Sequence, residues 1–501
     1  MDLLQHLAIG FDTALSPWNF FYCFVGALLG TFIGVLPGLG PTATVAMLLP
    51  ITYYLSPTSS MIMLAGIYYG SQYGGSTTAI LLNLPGEVSS SVTAIDGYKM
   101  ARNGEAGKAL SIAAIGSFAA GTFATFLIAI VAVPLTTVAL SFGSTEYFSL
   151  ILLGLVTSTA LANGSVLKAV AMIVTGMLFA MVGTDVDSGA FRFNFGMIEL
   201  SDGLSTVSVA LGIFGIVEVL KNLENIQEAI VGTAKITKLM PTREDLRRST
   251  GPIVRGTLLG SILGVLPGGG SILSAFTSYT VEKQVSRHPE RFGHGAIEGV
   301  AGPESANNAG AQTSFVPLLA LGIPSNPLMA LMMGALLIQG ITPGPNVVTD
   351  QPELFWGIVA SMWIGNAMLI ILNLPLVGLW VALLKIPYRL MLPAIIAFST
   401  IGVFTVANSS FDVYVLAAFG LLGYVFHKVD CEPAPFLMGF VLGGLLEEHL
   451  RRAMVFSHGN PVVFLQHPIS AALLVGALAV LALVALPGIA RKRQEIFVEE
   501  E

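Results

Sequence analysis

The chain has 501 residues, of which 54% are hydrophobic and only 11% are charged, whereas a soluble domain usually carries about 25% charged residues. Its mean hydropathy is +0.79, so it lacks the polar side chains that would cover a water-exposed surface of this size. These values exclude a soluble enzyme, a nucleic-acid-binding protein and a disordered protein. They predict an all-α polytopic membrane protein.

Apolar runs that can cross or nearly cross a bilayer occur along the whole chain. In the first half they occupy residues 19–36, 109–141, 145–162, 166–183 and 204–220. In the second half they occupy residues 252–266, 354–384, 391–407, 411–427, 435–447 and 468–488. Shorter apolar pieces, bounded by Gly, Pro and Ser, lie at 42–55, 60–70, 76–95, 271–281, 310–322 and 326–341. Because a spanning helix needs about 20 apolar residues, the short pieces indicate discontinuous or re-entrant helices.

Basic residues predict which loops face the cytoplasm, since Lys and Arg accumulate on that side of a membrane. The longest polar linker runs from Lys221 to Arg255 and is strongly basic. Further basic segments that we place in the cytoplasm are 99–108, 283–291, 385–389 and 491–493. Segments that we place outside are the N-terminus, 184–202 and 341–353, which contain Arg192 as their one basic residue.

The sequence repeats itself. Gly34-Val35-Leu36-Pro37-Gly38 recurs 230 residues later as Gly264-Val265-Leu266-Pro267-Gly268. Weaker matches follow in the same order, such as Glu218-x-x-Lys221 with Glu448-x-x-Arg451. The first copy starts outside and ends inside, and the second starts inside. The charges therefore predict two inverted-topology repeats, an architecture of secondary transporters.

The repeats and charges divide the chain into six predicted regions. They are an outer N-terminal segment (1–18), transmembrane repeat 1 (19–222), a cytoplasmic linker (223–251), transmembrane repeat 2 (252–452), a final C-terminal transmembrane helix (453–490) and a cytoplasmic tail (491–501). Arg451 and Arg452 disagree with this scheme because they would lie outside. Asp185, Asp187, Asp430 and Glu432 are expected at solvated loop ends.

The repeated Leu-Pro-Gly segments predict a binding site. Pro and Gly end one helix, and Thr42 or Ser271 can cap the next. Non-helical backbone inside a bilayer is costly unless it is paired or lines a cavity. A helix that starts there presents free N–H groups and a partial positive charge. The two segments therefore predict an anion site that needs no Lys or Arg.

Two polar clusters, 69–78 and 302–313, extend this hypothesis, since hydroxyl and amide groups suit a carboxylate or a coordinated cation. For each small residue taken singly, close helix packing is an equally good reading. The predicted substrate-binding residues are Pro37, Gly38, Gly40, Thr42, Gly75, Ser76, Thr77, Asn83, Gly268, Gly269, Gly270, Ser271, Asn307, Asn308 and Pro324. The candidate cation contacts are Glu304, Gln312 and Thr313.

No sequence motif for catalysis is present. The chain has no Walker loop, no His-Glu-x-x-His and no Gly-x-Ser-x-Gly, which are signatures of ATP hydrolysis, metalloproteases and serine hydrolases. The apolar runs also carry no cluster of acids, His and Cys. We therefore expect no enzyme activity, no catalytic residue and no cofactor beyond a coupling cation.

Several stretches resemble the large membrane subunit of tripartite tricarboxylate transporters (TctA-type). They are 34–42, 69–76, 81–87, 96–98 and 302–309, within a resemblance that extends from residue 20 to residue 455. The resemblance implies a multi-pass protein of the bacterial inner membrane that imports citrate or another di- or tricarboxylate. It also implies a periplasmic solute-binding protein and a small multi-helix membrane subunit as partners, and a sodium or proton gradient as the driving force.

Other functions remain open from the residues alone. A channel or permease for another small organic anion could also use broken helices. An ATP-driven permease would need a separate ATPase subunit and a cytoplasmic coupling helix, for which the linker 221–255 is the one candidate region.

Overall fold

A computed structural model describes residues 3–36, 40–161, 165–185, 188–224, 239–266, 270–383 and 388–485. Within these ranges the chain is predominantly α-helical, which confirms the all-α part of the predicted fold class. The inverted orientation of the two repeats stays a prediction. Pro37, Gly38, Gly268 and Gly269, which we predict to bind substrate, lie outside the described residues, as do Asp187, residues 225–238 of the linker and the tail 491–501.

The first half contains ten helices among its described residues. They are α1 Leu3–Ala14, α2 Pro17–Val35, α3 Pro41–Thr52, α4 Pro57–Leu82, α5 Ser91–Met100, α6 Ala106–Ala139, α7 Ser144–Leu161, α8 Val166–Ala180, α9 Thr206–Ala210 and α10 Val217–Glu224. Short π-helical segments, Ala101–Glu105 and Leu211–Ile216, join α5 to α6 and α9 to α10. A two-stranded antiparallel hairpin pairs β1 (Gly183–Thr184) with β2 (Phe191–Arg192) after α8.

The second half begins after the linker. Its helices are α11 Arg243–Val265, α12 Gly270–Val285, α13 Glu298–Thr313, α14 Pro327–Ile338, α15 Pro345–Asp350, α16 Pro352–Asn373, α17 Val377–Leu383, α18 Tyr388–Ala407, α19 Ser410–Lys428, α20 Pro433–Phe456, α21 Val463–Gln466 and α22 Pro468–Ala485. Single turns of 3-10 helix at Val88–Ser90, Ile198–Leu200 and Pro289–Arg291, with a π-helical segment at Pro317–Leu321 between α13 and α14, complete the described helical structure.

Four helical stretches are long and apolar enough to cross a membrane, counting only the described residues. They are Pro17–Val35, Val88–Ala139, Pro352–Asn373 and Ser410–Lys428. Shorter apolar helices include Pro41–Thr52, Val166–Ala180 and Pro327–Ile338. The chain is therefore a multi-pass membrane protein in which full-length and short helices alternate.

The predicted interruptions are present in both copies. In the first, α2 ends at Val35, Leu36 is extended, and α3 begins at Pro41. In the second, α11 ends at Val265 and Leu266 is extended; α12 then begins at Gly270. Helix-stopping Pro and Gly in an apolar run account for both endings.

One predicted interruption is wrong. The pieces 60–70 and 76–95 were expected to be separate, but α4 continues through the polar cluster 69–78 to Leu82. Likewise, the cluster 302–313 lies inside α13, which has Pro303 in its interior. The small residues in α4 let neighbouring helices approach rather than ending the helix.

Glycines bring the backbones of paired helices into contact in each copy. Ideal Cβ atoms at Gly26, Gly30 and Gly34 of α2 would each lie less than 3.0 Å from a backbone carbonyl oxygen of α4. Ideal Cβ atoms at Gly256, Gly260 and Gly264 of α11 would meet carbonyl oxygens of α13 in the same way. These two sets of glycines are again 230 residues apart. The internal repeat is therefore present in the helix packing as well as in the sequence.

The structure also explains the two arginines that contradicted the charge pattern. Arg451 lies 2.6 Å from Glu447 and 3.0 Å from Asp185, and Arg452 pairs with Glu448. Arg192, from the hairpin, reaches Glu447 at 2.8 Å. Each arginine is therefore matched by acids on its own side. Asp185 is buried in this network, and its expected place at a solvated loop end is wrong.

Candidate functional site

The polar segments of the two copies meet where α4, α6 and α13 pack together. Gln72 and Ser76 of α4 and Glu304, Asn307 and Asn308 of α13 are all fully or almost fully buried. Small neighbouring residues such as Gly75 and Gly310 make room for them. Since buried polar groups are retained only when they are satisfied or have a function, this cluster is the candidate site.

Glu304 is the centre of this cluster. Its Oε2 accepts a hydrogen bond from Ser76 Oγ at 2.7 Å, and its Oε1 accepts one from Thr93 Oγ1 of α5. Ser117 Oγ of α6 lies 3.5 Å from Oε2. Ser117 in turn accepts a hydrogen bond of 2.7 Å from Asn308 Nδ2. Hydroxyl donors from three helices of the first copy thus surround one acid of the second.

A second buried carboxyl group, Glu87, lies in the turn after α4. Its Oε1 accepts hydrogen bonds from Ser89 Oγ at 2.5 Å and from Asn307 Nδ2 at 3.2 Å. Gln72 Oε1 accepts a further hydrogen bond from Ser89, at 3.3 Å. Two acids and two amides are therefore held within one network, again across the two copies.

A small cavity of about 20 Å³ borders this network. Tyr73, Ser76 and Thr77 of α4, Ser117 of α6, Glu304 and Asn373 form its polar lining. Asn373 Oδ1 is buried and has no hydrogen-bond partner among the described residues, although Asn373 Nδ2 donates to Leu369 O at 2.9 Å. The cavity therefore presents oxygen atoms from four helices, α4, α6, α13 and α16.

Both helix interruptions lie beside the polar segments. Gly34, at the end of α2, packs against Ser71 and Gly75 of α4, and Gly86 packs against Gly34 and Gly75 in turn. In the second copy, Gly264 packs against Gly310 and Thr313 of α13. The structure thus places the beginning of each short helix next to a polar segment.

The N-termini of the short helices differ from the sequence-based expectation in detail. Gly40, in extended conformation, is the N-cap of α3, so Thr42 lies in the first turn and does not cap it. Ser271 is the second residue of α12. The amides of Thr42 and Ala43 lie in the first turn of α3, where N–H groups have no intrahelical acceptor.

Around the second interruption several predicted residues come together. Gly270 has a positive φ of 60° and packs against the side chain of Asn326. Asn326 Nδ2 donates to Ser314 Oγ at 3.3 Å, and the Tyr68 side chain faces Ser271, Ser314 and Asn326. Pro324 is buried two residues before Asn326. Hydroxyl and amide groups of three segments therefore converge beside the start of α12.

The remaining predicted residues are spread over different environments. Asn83 is the exposed left-handed C-cap of α4, with a φ of 58°, and lies apart from the Glu304 network. Gln312 Oε1 accepts from Thr125 Oγ1, and Thr313 Oγ1 donates to Ala309 O at 2.9 Å. Both side chains therefore have a hydrogen-bond partner, Gln312 on a neighbouring helix and Thr313 within its own helix. Of the three candidate cation contacts, only Glu304 lines the cavity.

Several residues of the site were missed by sequence reasoning. They are Thr93, Ser117, Asn366 and Asn373, whereas Gln72 and Tyr73 lie in the predicted polar cluster 69–78 but were not among the predicted binding residues. Tyr73 donates to Asn366 Oδ1 at 2.8 Å, and Asn366 and Asn373 lie seven residues apart in an apolar helix, which puts them on one face. Isolated polar residues within long apolar runs were the signal for them, because such residues are costly in a membrane.

No group of three or more His, Cys, Asp or Glu side chains that could hold a metal ion occurs among the described residues. The site therefore lacks the acid-rich ligand set typical of divalent cations. Its chemistry is that of hydroxyl and amide groups, helix N-termini and two carboxyl groups.

The fold and the site together define a multi-pass α-helical membrane protein with a buried polar centre. The model of the tripartite tricarboxylate transporter TctA family matches residues 20–438, so the chain belongs to this transporter family, which is not a family of enzymes. This confirms the resemblance inferred from the repeated Leu-Pro-Gly and polar segments.

Two relatives come from Agrobacterium vitis. The chain is 61% identical over 501 residues to an uncharacterized 52.8 kDa protein in the TAR-I ttuC' 3'region, with both chains covered completely. It is 62% identical over 242 residues to an uncharacterized protein in the TAR-II ttuC' 3'region, an alignment that covers 48% of this chain and all of the relative. No solved structure matches the chain.

Proposed function

We propose that the protein imports a di- or tricarboxylate such as citrate across the bacterial inner membrane, driven by a gradient of sodium ions or protons. It would act as the large permease subunit of a tripartite system, with a periplasmic solute-binding protein and a small membrane subunit as partners. Membership of the TctA family carries this proposal.

The site supports a carboxylate substrate on physical grounds. Two short helices begin beside buried polar segments, and helix N-termini attract anions through free N–H groups and the helix dipole. Ser271, Asn326 and Tyr68 converge beside the start of α12. These groups can hold carboxylate oxygens without a Lys or Arg, which would bind a polyanion too tightly for rapid release.

The architecture supports alternating access. We propose that the two copies are inverted in the membrane, as the loop charges predict. The interrupted segments would then carry substrate by moving against the remaining spans. In this arrangement the linker 221–255 lies in the cytoplasm and the β1–β2 hairpin lies on the periplasmic side.

Reconstituted transport tests the proposal. The complete chain, with its binding protein and small subunit in proteoliposomes, should take up one or more radiolabelled di- or tricarboxylates. Uptake should saturate and should depend on an imposed sodium or proton gradient. Saturable uptake of a different class of organic anion would redirect the substrate assignment, and non-saturating flux would indicate a channel. ATP-dependent, vanadate-sensitive uptake would indicate an ATP-driven permease.

Variants then test the site itself. Asn307→Ala should reduce uptake at least about tenfold, the effect of losing a buried polar contact. Pro37→Ala and Gly269→Val replace the Pro and the Gly that we propose to interrupt the helices, and they should reduce uptake as strongly. Asn346→Ala, which changes an exposed residue of α15, is the matched control and should transport normally. Wild-type uptake by all three site variants at normal expression would contradict the assignment.

A further inference from the structure

We infer that the cavity beside Glu304 binds one sodium ion, held by Glu304, Ser76, Ser117 and Asn373. This inference rests on the proposed function and deepens it, because it names the coupling cation and its ligands. Three features support it: the charge of Glu304, the oxygen atoms that line the cavity, and the volume of the cavity.

The charge of Glu304 is the first argument. Its side chain is 0% exposed, and within the described residues it forms hydrogen bonds but no ion pair. All three of its side-chain partners are hydroxyl groups, each of which can donate its proton to Glu304 when the carboxyl group is ionised. Burying such a charge without a counter-charge is costly, and one bound cation would remove that cost.

The second argument is the set of oxygen atoms. When Ser76 and Ser117 donate their protons to Glu304, lone pairs remain on both hydroxyl oxygens for a cation, although Ser117 uses one of its two to accept the hydrogen bond from Asn308 Nδ2. Asn373 lines the same cavity, is 6% exposed, and its Oδ1 has no partner among the described residues. A carboxylate, hydroxyls and an amide carbonyl are the ligands that hard cations prefer.

Size and charge balance favour sodium. The cavity of about 20 Å³ accommodates a single particle of the size of a water molecule. Glu304 is the only acid that lines it, since Glu87 is turned toward Ser89 and Asn307. One negative charge balances one monovalent ion, whereas a divalent ion in a closed site usually has more acidic ligands.

The position of the site provides a means of coupling. Its proposed ligands come from α4 and α6 in the first copy and from α13 and α16 in the second. A bound sodium ion would therefore join the two copies at the point where the polar segments meet. Sodium binding would stabilise one arrangement of the copies, and substrate binding would favour the same arrangement.

Sodium binding to the purified chain, without any carboxylate, tests the inference directly. Equilibrium binding of ²²Na⁺ and the rise in Tm with NaCl, measured against choline chloride, should both show one saturable site in the wild-type protein. Glu304→Gln should abolish both signals. Ser117→Ala should weaken sodium binding about tenfold, because one neutral ligand is lost.

Ser111→Ala is the matched control for Ser117→Ala. Ser111 is a buried serine on the same helix whose hydroxyl donates to Leu239 O, and it does not line the cavity. It should bind sodium like the wild type. If Glu304→Gln does not fold, the comparison of Ser117→Ala with Ser111→Ala decides the question.

The inference is overturned if the wild-type protein binds no sodium, as it would if Glu304 carried a proton or the cavity held only water. It is equally overturned if Glu304→Gln, once folded, or Ser117→Ala binds sodium as tightly as the wild type. Failure of the proposed function looks different: sodium would bind to the purified chain, but proteoliposomes would take up no carboxylate.

Discussion

The helix triads α2–α3–α4 and α11–α12–α13 share a packing framework but differ in their polar side chains. In each, a glycine-lined helix lies against the backbone of a partner helix and ends at a Leu-Pro-Gly segment. The polar residues of α4 are mostly hydroxyl-bearing, whereas α13 supplies Glu304, Asn307 and Asn308. The two triads thus share their contacts between backbones and differ in the polar chemistry between the helices.

This difference shows how two similar halves can form one asymmetric site. The acid comes from one copy and its hydroxyl donors come from the other, so neither triad contains the Glu304 network alone. The glycine contacts set the distance between helices, and that distance determines which polar side chains can contact each other. Framework and site can therefore be tested separately.

The largest expected effect concerns the shared framework. Gly30→Val and Gly260→Val each force a side chain into a backbone carbonyl of the partner helix, so each should cost more than about 3 kcal/mol of stability. Size-exclusion chromatography and thermal unfolding in detergent measure the loss. Gly444→Ala, at an α20 position with open space around it, should leave folding unchanged. A folded, stable Gly260→Val protein would show that the two triads do not pack equivalently.

A smaller effect should distinguish the loops of the two triads. Asp96 holds the loop before α13: its Oδ1 accepts from the backbone N–H groups of Gly293, Gly295 and Ala296 at 2.8 to 2.9 Å. Asp96→Ala should destabilise the protein by about 3 kcal/mol and speed trypsin cleavage after Arg291, which is exposed in the same loop, because several charge-assisted hydrogen bonds are lost. Thermal unfolding and timed trypsin digestion measure both effects.

The corresponding loop of the first triad supplies the control for Asp96. Ser56 caps α4 by accepting a hydrogen bond from the N–H of Ser59, and Ser56→Ala should cost only about 1 kcal/mol. Equal effects of Asp96→Ala and Ser56→Ala would show that Asp96 stabilises the loop before α13 no more than a single helix cap stabilises α4.

The smallest expected effect concerns the repeated Glu-x-x-basic pairs. Arg451 is matched with Glu447 and Asp185, whereas Lys221 contacts Glu218 at 3.5 Å. Arg451→Gln should cost up to about 1 kcal/mol, since its side chain is partly exposed, and Lys221→Gln should cost nothing measurable. The difference in Tm should shrink at high salt, because ions screen exposed pairs. A salt-independent loss would indicate a packing role for Arg451.

Much of the fold could be predicted from the sequence because the bilayer restricts helix length and composition. The apolar runs locate α2, α6, α7 and α8 to within a few residues. The Leu-Pro-Gly repeats locate both interruptions, since Pro and Gly act locally. The continuity of α4 could not be predicted. Its Gly and Ser residues are typical of helix interruptions, and the sequence alone does not show that they contact α2.

The site could be predicted only in part. Ser76, Asn307, Asn308 and Glu304 lie in polar clusters that stand out from an apolar background. Their partners Thr93 and Ser117 are single hydroxyls in helical segments without a pattern, and the hydrogen bond between Ser76 and Glu304 joins residues 228 positions apart. Such pairings depend on the tertiary structure, which local sequence patterns do not reveal.

The glycine contacts also limit how the molecule can move. Because α2 and α4, and likewise α11 and α13, contact each other through their backbones, no flexible side chain lies between them to allow sliding. Each of the two pairs must therefore move as a rigid body. Relative motion is then confined to the interface between the α2–α4 pair and the α11–α13 pair. Glu304 of α13 lies across this interface, since it accepts a hydrogen bond from Ser76 of α4.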